Sequence, residues 1–126
     1  MPARLLIRAM GSCVLVSLLA LGARGLAAQQ TSTPFDRATE VLRNRFAKDL
    51  PFSIRTSCLS YVEEAATSRR VTVAVREKHD ATCGGDPDVS PIIDRFRVTL
   101  ATGHIEFYDA LEDEWRDYVE YKKSRR

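Results

Sequence analysis

Polar and apolar positions repeat with different periods along this chain, and each change of period marks an element. Residues 9–21 are uncharged and mostly apolar, Arg4 and Arg8 precede them, and Gly25-Leu26-Ala27-Ala28 follows. A basic start, an apolar middle and small residues at the end predict a secretory signal peptide over residues 1–28, cut after Ala28. The run is shorter than the roughly 20 apolar residues a membrane span needs, so no stable membrane anchor is expected after cleavage. Residues 29–33 are polar and predict a flexible start.

From Pro34 the period is helical. Phe35, Ala38, Val41, Leu42 and Phe46 form one apolar stripe, while Arg37, Arg43, Arg45 and Lys48 take the opposite face. Thr33 offers a capping hydroxyl, Pro34 suits the first turn, and Pro51 stops the helix near Leu50. The period then falls to two. Leu59, Tyr61, Val62 and Ala65 make an imperfect strand, Thr67-Ser68 its turn, and Val71, Val73 and Val75 a clear strand. After a Gly/Asp/Pro-rich loop, Ile92, Phe96, Val98 and Leu100 share one face, interrupted by Asp94. A two-residue turn at Thr102-Gly103 would set Leu100 opposite Ile105, Val98 opposite Phe107 and Arg97 opposite Tyr108.

Residues 109–123 fit a helix, with Leu111, Trp115, Tyr118 and Lys122 on one side and acids early, lysines late. A turn at 110–113 leading into a fifth strand is the alternative. Residues 124–126 read as a frayed tail. Residues 34–123 therefore predict a single α+β domain: an N-terminal helix packed on a four-stranded antiparallel meander, with a C-terminal helix or short strand. At the level of architecture this resembles a cystatin-like helix on a meander, which implies nothing about activity.

Composition changes the picture in three ways. Removing residues 1–28 leaves 98 of 126 residues, enough for one modest core. It also removes Arg4, Arg8 and Arg24 with no acid, so the formal net charge of +2 becomes −1. Near neutrality gives no basis for a nucleic-acid partner. Arginine outnumbers lysine 15 to 4, which fits a GC-rich bacterial genome and so a periplasmic or secreted location. Finally, Cys13 leaves with the signal peptide, and Cys58 and Cys83 remain for an oxidising compartment. Their disulfide would close a loop of 26 residues (58 to 83 inclusive), worth about 3 kcal/mol in the chain-entropy account.

The loop from His79 to Asp88 is the most distinctive segment. Gly84-Gly85 permits left-handed backbone, and Asp86-Pro87 enforces a turn or extended step. His79, Asp86 and Asp88 are candidate contact residues on a stapled loop. With Asp80 they lack calcium-loop spacing and the His/Cys density of a zinc site, so neither metal nor cofactor is expected. Arg76, Arg95 and Arg97 from adjacent strands, flanked by Tyr108, read as a basic stripe for a carboxylate- or phosphate-bearing surface of another protein. His104, Glu106 and Tyr108 share that face, but no nucleophile or hydrolase motif accompanies them, and enzymatic activity is not expected.

Val75-Arg-Glu-Lys-His79 through Cys83-Gly-Gly-Asp-Pro87, with Pro91 and Arg95-Phe-Arg-Val98, resembles a group of small exported bacterial proteins with a His-x-x-x-Cys-Gly-Gly-Asp-Pro loop between two strands. The resemblance spans residues 57–108 and implies export and the strand–loop–strand layout. The group is functionally unassigned, so it assigns no site residue. In general design the chain is also similar to small periplasmic inhibitors, such as lysozyme inhibitors and immunity proteins against cell-wall hydrolases, but it lacks a Ser-Gly-x-x-Tyr inhibitor loop. The expected function is that of a non-enzymatic protein-binding module. A hydrolase-like or metal-binding envelope protein, or a purely structural one, is the alternative.

Overall fold

The computed structural model describes residues 31–125; the expected signal peptide, Cys13 and Arg126 lie outside the described residues. Helix α1 runs Pro34–Asp49. Its start is a complete capping box: Thr33 Oγ1 accepts from the Asp36 amide at 3.1 Å, and the Asp36 carboxylate accepts from the Thr33 amide at 2.9 Å. Leu50, at φ 46°, closes it by donating its amide to the Phe46 carbonyl, and Pro51 follows.

A short 3-10 turn, Thr56–Cys58, leads into five strands: β1 (Leu59–Ala66), β2 (Arg70–Glu77), β3 (Ile92–Thr99), β4 (His104–Asp109) and β5 (Glu114–Asp117). They pair in sequence order as one antiparallel sheet, and α2 (Tyr118–Ser124) follows. The coarse expectation of an α+β helix-on-meander therefore holds, with a fifth strand added. The alternative reading of 110–113 as a turn is the right one, and the expected helix begins only at Tyr118. Asp117 caps it, accepting from the Val119 amide at 2.8 Å.

Both hairpin registers differ from expectation. Phe96 pairs with Phe107, Arg97 with Glu106 and Val98 with Ile105, two residues from the predicted alignment. The connection spans 100–103, with Gly103 at φ 68° donating its amide to Thr99. Because the side-chain period is two, a shift of two leaves every residue on its expected face. The first hairpin turns at Ser68-Arg69, with Thr67 and Arg70 hydrogen-bonded, and Glu64 bulges out between Glu63 and Ala65. A second irregularity sets Val75 opposite Asp94 but Arg76 opposite Ile92, so Ile93, not Ile92, packs toward the core.

The inner face of the sheet carries the core. Val71, Val73, Val75, Phe96 and Val98 meet Ala38, Leu42 and Phe46 of α1, and Tyr118 and Tyr121 of α2 close one end. Asp94, the polar interruption, lies on this face and has a specific partner there. It accepts from the Tyr121 hydroxyl at 2.5 Å and from Arg125 at 2.8 Å. Burial, with this carboxylate, pushes the Tyr121 hydroxyl well above the usual phenol range. Arg125, expected in a loose tail, is thus tied back to β3, and Ser124 donates its hydroxyl to the Tyr121 carbonyl.

Candidate functional site

The Cys58–Cys83 disulfide is present, with Cα atoms 5.6 Å apart. It fixes the loop after β2 to the residue that precedes β1. Asp80 organises the descent of the chain toward Cys83: its carboxylate accepts from the Thr82 and Cys83 amides at 2.9 and 2.8 Å and pairs with Lys78 at 3.0 Å. The Cys83 amide foremost, then Lys78 and the Thr82 amide, hold its carboxyl below the ordinary range. Arg55 donates to the Thr82 carbonyl at 2.8 Å, and Ser90 donates to the Glu77 carbonyl at 2.9 Å.

His79, expected as a contact residue of the loop, is instead packed within it. Its side chain is only 15% exposed. Nε2 lies 2.9 Å from a Glu77 carboxylate oxygen, and Nδ1 lies 3.0 Å from the Asp86 carbonyl. Gly85 makes this possible. It sits at φ 82°, and a Cβ there would come within 2.6 Å of the imidazole. Gly85→Ala is therefore expected to displace the ring and loosen the loop. The measurement is amide hydrogen exchange, faster over residues 82–89 and unchanged in β2 and β3; parent-like exchange in the loop would refute this packing.

Asp86 is exposed and uses its carboxylate to accept from the Asp88 amide at 3.0 Å, which shapes the loop. Asp88 is exposed. Arg76 reaches from β2 to the Ser90 carbonyl at 3.4 Å and so touches the end of this loop. Among the predicted residues, then, His79, Asp86 and Arg76 maintain the loop.

The other predicted residues gather on the outer face, opposite both helices. The basic stripe is corrected here, because the register gives its central arginines acidic partners. The Glu64 bulge aims a carboxylate at Arg95, whose Nε donates at 2.9 Å. Arg97 is bidentate on Glu106, at 2.9 and 2.8 Å, which holds that carboxyl below its usual range. Both Glu106 oxygens are occupied, so it is a poor proton acceptor. His104 lies 3.6 Å from Asp117. The face is charge-balanced, not basic.

Trp115 is the residue that sequence reasoning misplaced. Its spacing from Leu111 and Tyr118 set it on one side of a helix, whereas β5 puts it opposite Tyr108 on the outer face. The two ring centroids are 5.4 Å apart, and the Arg97 guanidinium lies 4.5 Å from the Trp115 ring centre. The Tyr108 hydroxyl donates to Asp113, which raises its proton affinity. An indole, a phenol and a guanidinium are thus ordered together, each partly exposed. The signal was available: Tyr108 alternates with Glu106, and a strand at 114–117 places Trp115 beside it.

On the other side, a cleft of about 660 Å³ opens beside the β4–β5 turn. Phe107 and Tyr121 line it, and Leu111, 95% exposed, stands at its edge. Arg116 there is paired with Asp109 and Glu120, and Arg125 with Asp94. Those groups satisfy one another instead of converging on a ligand. Among the described residues, no group of three or more His, Cys, Asp or Glu side chains is placed to hold a metal, and no helix is long and apolar enough to cross a membrane.

Fold and site define a disulfide-closed α+β domain with one sheet face left open and an aromatic–arginine cluster upon it. No protein family, curated protein or solved structure matches the chain.

Proposed function

We propose that this chain is an exported, non-enzymatic binding domain of the inhibitor or immunity type, which engages another protein through its open sheet face. The observation that carries the reading is the Trp115–Tyr108–Arg97 cluster. Trp, Tyr and Arg are the residue types that most often dominate binding energy at protein interfaces. Here their geometry is set before any partner arrives, by Glu106, Asp113 and the cross-strand register, so little ordering cost remains. The disulfide suits an oxidising compartment such as the periplasm or the cell exterior.

The test uses residues 29–126, which contain every described element, oxidised and immobilised against envelope and secreted proteins. Trp115→Ala is expected to weaken capture of the stoichiometric partner about 30-fold, the size of an interface hot spot. Val119→Ser, at an exposed position on α2, should capture like the parent. Equal capture by Trp115→Ala and the parent, with both folded by circular dichroism, would refute this face as the binding surface.

A further inference from the structure

We propose that His79 is a pH-operated clasp: as an imidazolium it donates to the Glu77 carboxylate and to the Asp86 carbonyl together, and on losing a proton it releases one of them and frees the loop. The argument begins with the kinds of atoms that face the ring. Glu77 presents a carboxylate oxygen at 2.9 Å and Asp86 a backbone carbonyl at 3.0 Å. A carbonyl and an ionised carboxylate only accept. A neutral imidazole has one N–H and one lone pair, so it satisfies one partner and turns a lone pair toward the other. Only the protonated ring serves both.

The surroundings favour that form. The hydrogen bond that His79 donates to Glu77 is the largest influence raising its proton affinity, followed by that to the Asp86 carbonyl, and partial burial opposes them more weakly. Glu77 faces the ring from β2 and Asp86 from the loop. The nearby Asp80 is engaged with Lys78 and with the Thr82 and Cys83 amides, and Arg55 with the Thr82 carbonyl. Because the folded-state value is raised, the stabilisation is complete below the ordinary histidine range near 6.5 and is lost as pH rises through the folded-state value. The far side of the loop is anchored by the disulfide at Cys83, which does not titrate. Opening is thus confined to the stretch between Cys83 and Ser90, where Gly85 packs on the ring. This inference does not depend on the binding role proposed above.

The experiment is nuclear magnetic resonance on residues 29–126 between pH 5.5 and 8.5. It follows the imidazole nitrogens and the hydrogen exchange of amides 84–89, corrected for the intrinsic pH dependence of exchange. At the acid end both His79 nitrogens are expected to carry protons. As His79 titrates, protection of the loop amides should be lost while β2 and β3 keep theirs. His79→Gln should abolish that pH response, and His104→Gln, on the outer face, should leave it intact. A single neutral tautomer of His79 at pH 5.5, or a pH response that survives in His79→Gln, would overturn the clasp. Should His79→Gln fail to fold, the ring nitrogens of the parent protein decide alone.

Discussion

Phe46→Ala is expected to remove about 3–5 kcal/mol of stability, the cost of truncating a fully enclosed aromatic ring. Phe46 is 0% exposed and lies where four segments meet. Its ring centroid is 5.0 Å from Phe52 after α1, 5.1 Å from Phe96 on β3 and 6.1 Å from Tyr118 on α2. Edge-to-face geometry at the first two contacts adds a directional contribution beyond buried area. Collapse around the gap is difficult, since the facing residues sit on separate elements whose positions the sheet fixes. A domain of this size holds about 5–15 kcal/mol in total, so the variant loses a large share of it. Urea unfolding followed by Trp115 fluorescence measures the effect. A loss below about 1 kcal/mol would mean that α1 does not seat this ring in the core.

Replacing both cysteines, Cys58→Ala with Cys83→Ala, is expected to cost about 3 kcal/mol. Most of that arises in the unfolded chain, which regains the freedom of the 25-residue separation between the two positions. A modest native-state loss adds to it, because Cys58 is only 3% exposed at the foot of β1. A looser denatured state exposes more surface, so the denaturant slope should rise while the midpoint falls. Reduction of the parent protein should reproduce the shift. An unchanged midpoint after verified reduction would show that the staple constrains a loop already closed by other contacts. The sheet should persist in either case, as Lys78 still donates its amide to the Cys58 carbonyl at 2.8 Å.

Much of the scaffold was legible because it rests on strong local signals. Thr33-Pro34 and Pro51 bracket α1 so firmly that the helix ends within a residue of expectation. The valine alternation of β2 needs no tertiary knowledge. Where one face is buried, parity is also robust, which is why a wrong hairpin register still placed Val98, Ile105 and Phe107 correctly. Short-range pattern failed where the chain breaks its own period. Four residues, Glu114–Asp117, are too few to display alternation, and their spacing from Leu111 and Tyr118 mimicked a helix. Bulges at Glu64 and Ile93 leave no mark in composition, yet one supplies the partner of Arg95 and the other sends Ile92 outward.

The candidate site was legible in part for the same reasons. Arg95, Arg97 and Tyr108 were placed on the right face, but their state of pairing depends on register. His79 and Glu77 are two apart on an extended chain, so their proximity could be anticipated. The approach of the Asp86 carbonyl could not, because it follows from the left-handed turn at Gly84 and Gly85.

The bulge at Glu64 has a bearing on how the protein behaves when crowded by copies of itself. A sheet with free margins is open to recruitment of further strands and to aggregation. Here one margin is β5, four residues long and flanked by charge. The other is β1, long enough to template a neighbour, but interrupted near its middle where Glu63 and Glu64 fall in succession. An incoming ladder would lose register at that point. The margins thus discourage self-association, leaving the flat of the sheet free for encounters of another kind.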